Sequence, residues 1–299
     1  MKVLNMSEKK FNELERFRLP NNVFNTEGEM YLYEDKNRWL KKIYLLKKLY
    51  KQRGTIFSNK LFTVSELIDK RDIINIPELV LPEKLVSVNS EIVGFTVPFI
   101  PNINFQTVLD SYEFTPEEKI KMFKEIGVIL EKMKEIRTYT SLDDFYLNDI
   151  HENNFIFNTD TGRINVVDMD SCKISHNLTF GARYLSSLSL IGEVSKYKPM
   201  TDIISVGGEF TIDENTEYYC YMVMILNYIL GMRITNFNID EFFNYLTYLH
   251  SIGVSYELLE MFELIYVEKD NVNPYEYIDE LASVVGKSHY NVYKLTRKK

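Results

Sequence analysis

The first hundred residues alternate between apolar runs and short polar turns, a pattern that predicts a small sheet with one helix. Two aromatic and apolar runs, 29–35 and 37–46, are separated by a short charged turn and predict an antiparallel pair of strands. Apolar positions then recur at helical spacing over 58–74. Residues 83–88 and 91–100 give two further strands around a tight turn. The expected order of elements is therefore β, β, α, β, β.

The rest of the chain has mainly the sequence patterns of helices. A helix is predicted over 116–136, since it opens with a threonine cap, a proline in the first turn and a glutamate at the third helical position. Residues 175–213 are polar and show little periodicity, whereas 214–285 accommodates three or four helices. Within that region, 218–230 is apolar on every face, which predicts a buried central helix.

A β-hairpin is predicted between the two helical regions. Two short apolar runs, 155–157 and 164–167, flank the turn-rich sequence at 158–162. A hairpin brings its two ends together, so the loop before its first strand lies beside the residues that follow its second strand.

Three polar side chains at these hairpin ends form the candidate site. Asp149 and Asn154 precede the first strand, and Asp168 follows the second. Amide and carboxylate oxygens are ligands that Mg²⁺ accepts, usually alongside the phosphates of a nucleotide. The remaining carboxylate, that of Asp149, would orient an attacking hydroxyl and accept its proton. The spacing therefore predicts a site for a magnesium-bound nucleotide.

The composition of the chain limits which classes of partner and which cellular compartment we expect. The chain has 299 residues, 45% of them apolar, which is enough for a sizeable core. A net charge of −8 argues against broad binding to nucleic acid or to an anionic membrane. The chain has only two cysteines, and its first thirty residues contain no apolar run like the core of a signal peptide. Both observations favour a reducing compartment, and we expect the cytoplasm.

Together, the spacing of Asp149 and Asn154, the hairpin and the aspartate at 168 resemble the protein-kinase-like superfamily. The resemblance implies an α+β, two-lobed fold. A small antiparallel β lobe with one main helix would cover the nucleotide over 1–100, and a larger, mostly helical lobe would occupy 101–299. It implies that Asp149 is the catalytic base, Asn154 the amide ligand of the metal, and Asp168 the aspartate that leads the metal motif.

The resemblance also implies which residues hold ATP. The segment 38–43 resembles a third-strand motif whose first lysine reaches the phosphates, which selects Lys41, with Lys42 as the alternative. Adjacent residues of a strand face opposite sides, so only one of the two can serve. Glu66 on the predicted helix would be the counter-ion of that lysine, or an exposed helical glutamate. The expected hinge covers 98–102 and would offer its backbone groups to adenine, with Pro98, Phe99 and Ile100 as the cofactor-binding residues.

Two departures from the family pattern affect the expected activity. The loop that would hold the phosphates has only Gly28, between Glu27 and Glu29, where family members carry several glycines. Two acids beside a triphosphate predict weakened nucleotide affinity. Glu217 stands where the family has an aspartate at the start of a helix that buttresses the catalytic loop, so the match is weaker there.

Other departures concern the type of kinase. Asn148 precedes the base where regulated protein kinases have arginine, which argues against control by a phosphorylated activation loop. The segment 148–154, which contains His151, resembles the loop of aminoglycoside-phosphotransferase-like and other atypical kinases. His151 would donate to the γ-phosphate or brace the loop. Asp170 replaces the glycine of the metal motif and would bind a second Mg²⁺ or remain in solvent.

Three functions are compatible with these features. The first is an ATP-dependent phosphotransferase that moves the γ-phosphate of Mg-ATP to a hydroxyl of a protein or a small molecule. The second is a catalytically weak or inactive pseudokinase that acts as a binding module. The third is transfer of a nucleotidyl group by the same fold. The resemblance favours the first, with ATP and Mg²⁺ as cofactors, and leaves the acceptor open.

Overall fold

A five-stranded sheet forms the first part of the chain. The computed structural model describes residues 2–19, 28–35, 42–49, 54–177, 184, 212–232, 234 and 237–286. The strands of this sheet are β1 (Val3–Met6), β2 (Gly28–Asp35), β3 (Lys42–Leu49), β4 (Lys84–Val88) and β5 (Glu91–Pro98). Their spatial order is β1-β4-β5-β3-β2. β1 runs parallel to β4, and the other neighbours are antiparallel.

Four of these five strands agree with the hydrophobic pattern of the sequence. β3 begins at Lys42, five residues after the start of the predicted run, and residues 36–41 lie outside the described part of the chain. β1 was not predicted, and it makes the sheet mixed instead of purely antiparallel. A four-residue strand is too short to show a clear alternation of apolar and polar positions.

The two faces of this sheet are buried by different elements. Helix α2 (Gly54–Asp69) packs against one face, where Val64 and Ile68 contact Leu85 and Phe95. Helix α1 (Glu8–Glu13) and the 3₁₀ turn Leu14–Phe17 lie at the other face. The buried residues on that side are Met6, Leu14, Tyr31, Tyr33, Val86 and Val88. Successive residues of one strand point to opposite faces, so Leu85 and Val86 are buried in different clusters.

The predicted helix over 58–74 consists of two helices. α2 ends at Asp69, and Lys70 leaves the helical conformation with φ −96° and ψ 5°. The short helix α3 (Arg71–Ile74) follows and ends at Asn75, whose φ is +35°. Asparagine is among the few residues that tolerate this left-handed conformation, which explains the stop at this position.

A second, three-stranded sheet carries the hairpin. It contains β6 (Asn102–Asn104), β7 (Phe155–Asn158) and β8 (Arg163–Val166), in that spatial order and all antiparallel. The chain between α3 and β4 attaches to this sheet: the N–H of Val80 donates to the carbonyl of Val166 at 2.9 Å, and the N–H of Val166 donates to that of Glu78 at 2.9 Å. Main-chain hydrogen bonds therefore link the first part of the chain to the hairpin.

Helices surround the second sheet. They are α4 (Phe105–Asp110), α5 (Pro116–Tyr139), α6 (Glu214–Leu230), α7 (Ile239–Ser251) and α8 (Tyr256–Glu263). A π turn (Leu264–Glu268) and two 3₁₀ turns (Pro274–Glu276 and Ile278–Ser283) follow. α6 is buried along nearly its whole length, as its apolar sequence predicts. None of the helices in the described residues has the length and apolar character to cross a bilayer.

Candidate active site

The hairpin brings together the three side chains that its sequence spacing predicts. Its ends are joined by a hydrogen bond of 2.9 Å from the N–H of Val167 to the carbonyl of Asn154. Asp149, Asn154 and Asp168 all line one small cavity at this end of the hairpin. The apolar residues around them include Ile150, Phe155 and Val166, each buried. The acids and the amide therefore lie in a cleft that is walled partly by buried apolar side chains.

Asp149 is held by two neighbouring side chains. The amide Nδ2 of Asn154 donates to the carbonyl of Asp149 at 2.9 Å and lies 3.3 Å from its Oδ2. This contact turns the amide oxygen of Asn154 away from Asp149, which leaves that oxygen able to bind a cation. Asp149 is partly exposed, with 29% of its side chain accessible to solvent.

His151 orients the carboxylate of Asp149. Its Nδ1 accepts a hydrogen bond of 3.1 Å from the N–H of Asn153, so the proton of the neutral ring belongs on Nε2. Nε2 lies 3.2 Å from Asp149 Oδ2 and donates to it. In this geometry the ring braces the proposed base.

Asp168 has an unusual backbone conformation. Its φ of 62° and ψ of 39° are left-handed, a region that residues other than glycine seldom adopt. It is followed at once by the 3₁₀ turn Met169–Ser171, and the hydroxyl of Ser171 donates to its carbonyl at 3.3 Å. Strained backbone of this kind collects at functional sites, where the side chain must be aimed in a fixed direction.

Asp170 lies apart from this cavity. Its side chain is fully buried, and its Oδ2 is 3.5 Å from the Nζ of Lys60 on α2. Two positions along a 3₁₀ turn separate Asp168 and Asp170, so their side chains leave the turn in different directions. The alternative in which Asp170 remains in solvent is therefore wrong. The structure brings it to helix α2, outside the lining of the cavity that Asp168 shares with Asn154.

Glu217 supports the expected catalytic loop, the segment that leads into Asp149. Its Oε1 accepts a hydrogen bond of 2.6 Å from the N–H of Leu147, two residues before Asp149. Its other oxygen is 3.0 Å from Arg137, and the Glu217 side chain is fully buried. Burial raises the pKa of Glu217 to about 7, although Arg137 and the hydrogen bond from Leu147 act in the opposite direction. The glutamate thus makes the contact with the loop that the sequence departure had put in doubt.

Arg137, at the end of α5, organises the same region. Its guanidinium donates to the carbonyl of Phe145 at 3.1 Å and lies over the ring of Tyr146, 4.4 Å from the ring centre. It also contacts Glu214 at 3.4 Å. Because Phe145 and Tyr146 lead directly into the catalytic loop, Arg137 and Glu217 together fix the path of that loop.

The whole structure was compared with known proteins. The crystal structure of the PknI kinase domain from Mycobacterium tuberculosis matches it with a TM-score of 0.53 and 9% sequence identity, over 88% of this chain and 92% of that one. The chain has a protein-kinase-like fold. At this level of identity the likeness concerns the fold alone. No protein-family model and no curated protein matches the sequence.

Several of the residues expected to hold ATP lie wholly or partly outside the described part of the structure. Lys41 lies outside the described residues, and of Lys42 only the backbone is described, opposite Asp35. Gly28 begins β2 opposite Leu49, and the loop before it, residues 20–27, also lies outside the described part. The choice between the two lysines and the path of the phosphate loop therefore stay predictions.

Glu66 has partners on and beside its own helix. Its carboxylate accepts a hydrogen bond of 2.5 Å from Ser175 and pairs with Lys70 at 3.0 Å. The hydrogen bond from Ser175, together with Lys70, lowers the pKa of Glu66. Glu66 is thus a partly buried, bonded residue that joins α2 to the loop after Asp168, so the alternative of an exposed helical glutamate is wrong. Its expected pairing with Lys41 stays a prediction, because Lys41 lies outside the described residues.

The expected hinge uses some of its backbone groups internally. Pro98 ends β5, and the carbonyl of Ile100 accepts a hydrogen bond of 2.6 Å from the side chain of Asn102. Pro98 and Ile100 line a wider groove together with Arg71 and Leu81, and this groove shares no lining residue with the cavity of Asp149. Phe99 lies between them and is half-buried. Their contact with adenine stays a prediction.

Sequence reasoning missed two groups that act on the site. They are Arg137 and Lys60, and each pairs with a fully buried acid that is distant in the sequence, Glu217 and Asp170 respectively. Within the described residues no group of three or more His, Cys, Asp or Glu side chains can hold a metal. Mg²⁺ needs no such group when it is bound through one or two protein side chains and the phosphates of a nucleotide.

Proposed function

We propose that the chain is an ATP-dependent phosphotransferase that transfers the γ-phosphate of Mg-ATP to a hydroxyl of a protein or a small molecule. The observation that carries this proposal is the single cavity lined by Asp149, Asn154 and Asp168. Two of these side chains offer oxygens suited to Mg²⁺, and the third is a partly exposed carboxylate. The kinase-like fold supports the proposal without deciding the reaction.

The roles of the residues follow from their contacts. Asp149 orients the attacking hydroxyl and receives its proton, since its carboxylate is partly exposed and held by His151 and Asn154. Asn154 and Asp168 hold Mg²⁺, and the metal, when bound, neutralises charge on the phosphates. Phosphoryl transfer depends mainly on such positioning and charge neutralisation. Lys41 is the proposed phosphate contact.

A simple assay tests this proposal. Purified protein is incubated with Mg-ATP and release of ADP is measured for the wild type, for Asp149→Asn and for Asp168→Asn. We expect a decrease of at least about a hundredfold in both variants, because each removes a charge on which transfer depends. The matched control is Asp143→Asn, an exposed aspartate outside the cavity, which should retain wild-type activity. Equal ADP release by all four proteins would refute the proposal.

The second candidate is a binding module that has lost catalysis. Its support was the glycine-poor loop and the presence of glutamate at 217. The structure weakens the second argument, since Glu217 contacts the N–H of Leu147. The structure also weakens the argument from the glycine-poor loop. The carboxylate of Glu29, one of the two acids beside Gly28, pairs with Arg18 at 2.9 Å and Lys48 at 3.2 Å. This candidate predicts a stable protein with no ADP release. A thermal shift with ATP, measured with and without Mg²⁺, would show whether such a protein still binds the nucleotide or has lost both binding and catalysis.

A further inference from the structure

Helix α2 and the turn after Asp168 are joined by an ion pair. The Nζ of Lys60 lies 3.5 Å from Asp170, whose side chain is fully buried, and only 14% of the Lys60 side chain is exposed. A buried carboxylate is costly unless a cation or hydrogen-bond donors compensate its charge. Lys60 therefore helps to hold Asp170 where it is.

Asp170 in turn belongs to the turn that begins at Asp168. Met169–Ser171 is one 3₁₀ turn, closed by a hydrogen bond of 3.2 Å from the N–H of Cys172 to the carbonyl of Met169. Met169 and Asp170 are both buried, so this turn is fixed from its inner side. The left-handed conformation of Asp168 costs energy and persists only when its surroundings impose it. The direction of the Asp168 carboxylate thus depends on how firmly the turn is held.

Other contacts attach α2 to the residues that follow this turn. The amide of Asn177 donates to the hydroxyl of Thr63 at 2.6 Å and to the carbonyl of Cys172 at 2.9 Å. Ser175 donates to Glu66 at 2.5 Å. Polar side chains along the length of α2 therefore contact residues 170–177, and the helix is the support against which this loop is fixed.

We propose that Lys60 is a positioning residue for the metal site. Through Asp170 it fixes the turn Met169–Ser171, and so it sets the direction in which Asp168 presents its carboxylate to Mg²⁺. This inference rests on the proposed function and gives Asp170 a supporting role in place of the role of metal ligand expected from the sequence. Residues that orient a metal ligand in this way typically change metal affinity by 10- to 100-fold when they are replaced.

The experiment compares Lys60→Met, Lys60→Arg, Asp170→Asn and the double variant Lys60→Met/Asp170→Asn with the wild type. Two readouts are the Mg²⁺ concentration that gives half-maximal ADP release and the binding of Mn²⁺ in the presence of ADP, followed by electron paramagnetic resonance. The control is Lys124→Met, which removes an exposed ion pair with Asp279, remote from the cleft. A wild type without ADP release or Mn²⁺ binding would count against the proposed function, whereas the comparison of variants tests the inference.

We expect Lys60→Met and Asp170→Asn each to raise the half-maximal Mg²⁺ and Mn²⁺ concentrations by about tenfold, and Lys60→Arg to restore them most of the way. The double variant should be no worse than either single variant, since both remove the same contact. Metal dependence that is unchanged in Lys60→Met would overturn the inference. The inference would also be overturned if Asp170→Asn had a much larger effect than Lys60→Met and the effect of the double variant were the product of the two single effects. Asp170 would then bind the metal itself. If Lys60→Met does not fold, unchanged metal dependence in Asp170→Asn is the overturning result.

Discussion

A single buried carboxylate, that of Glu217, connects two parts of the structure that the proposed chemistry needs in fixed positions. It accepts a hydrogen bond from the backbone of Leu147 in the catalytic loop and pairs with Arg137 of α5. Glutamate is one methylene longer than aspartate, yet it still reaches the loop from α6. The chemistry of this position therefore depends on a carboxylate at the correct distance and less on which acid supplies it.

Glu217 also predicts a pH dependence of stability. The pKa of Glu217 in the folded protein is about 7, above its ordinary value of 4.5, so the folded state keeps a proton that the unfolded chain releases. Its contribution to stability is complete below pH 4.5 and is lost as the pH rises through 7. The advantage of the wild type over Glu217→Gln in free energy of unfolding should fall between pH 5 and pH 8, by at most about 3 kcal/mol.

Urea unfolding at several pH values measures this difference. Glu135→Gln, an exposed glutamate on α5, is the control and should differ from the wild type by the same amount at every pH. A difference between the wild type and Glu217→Gln that stays constant between pH 5 and pH 8 would mean that Glu217 is ionised in the fold throughout this range.

At the scale of elements, the N-terminal segment forms part of the first sheet. β1 adds a parallel strand beside β4, and α1 with its 3₁₀ turn covers the face formed by Tyr31 and Tyr33. The hydroxyl of Tyr31 donates to Glu29 at 2.7 Å, and Arg18 pairs with the same carboxylate. This segment thereby compensates one of the two acids that were expected to repel a triphosphate.

Two substitutions within one 3₁₀ turn test whether this segment is part of the folded unit. Leu14 is 7% exposed and packs in the cluster with Tyr31, whereas Phe17 in the same turn is 56% exposed. Leu14→Ala should lower the free energy of unfolding by about 2 to 3 kcal/mol, as expected for a buried leucine. Phe17→Ala should change it by less than about 0.5 kcal/mol. Equal effects in denaturant unfolding would show that the segment does not pack as described.

The sequence predicted these elements to different degrees, for physical reasons. Period-2 and helical patterns are local, so β2, β4, β5, the hairpin and the all-apolar helix α6 could be located from them. β1 has only four residues, and the break at Lys70 depends on backbone geometry that no periodicity encodes. The pairs Lys60–Asp170 and Arg137–Glu217 join residues that are 110 and 80 positions apart, and no local pattern could identify them.

At the scale of the whole molecule, two sheets and a set of helices meet at the hairpin. Main-chain hydrogen bonds from the segment before β4 reach β8, and polar side chains of α2 reach the loop after Asp168. Arg137 and Glu217 bind the backbone of the expected catalytic loop at Phe145 and Leu147. The cavity of Asp149, Asn154 and Asp168 is thus supported by elements from both parts of the chain.

A crystal structure with Mn²⁺ and a non-hydrolysable ATP analogue would show whether this cavity holds a metal-bound nucleotide. We predict an anomalous peak from the metal within about 2.3 Å of the side-chain oxygens of Asn154 and Asp168, with the γ-phosphate facing Asp149. A nucleotide bound elsewhere, or a metal that contacts neither Asn154 nor Asp168, would contradict the account.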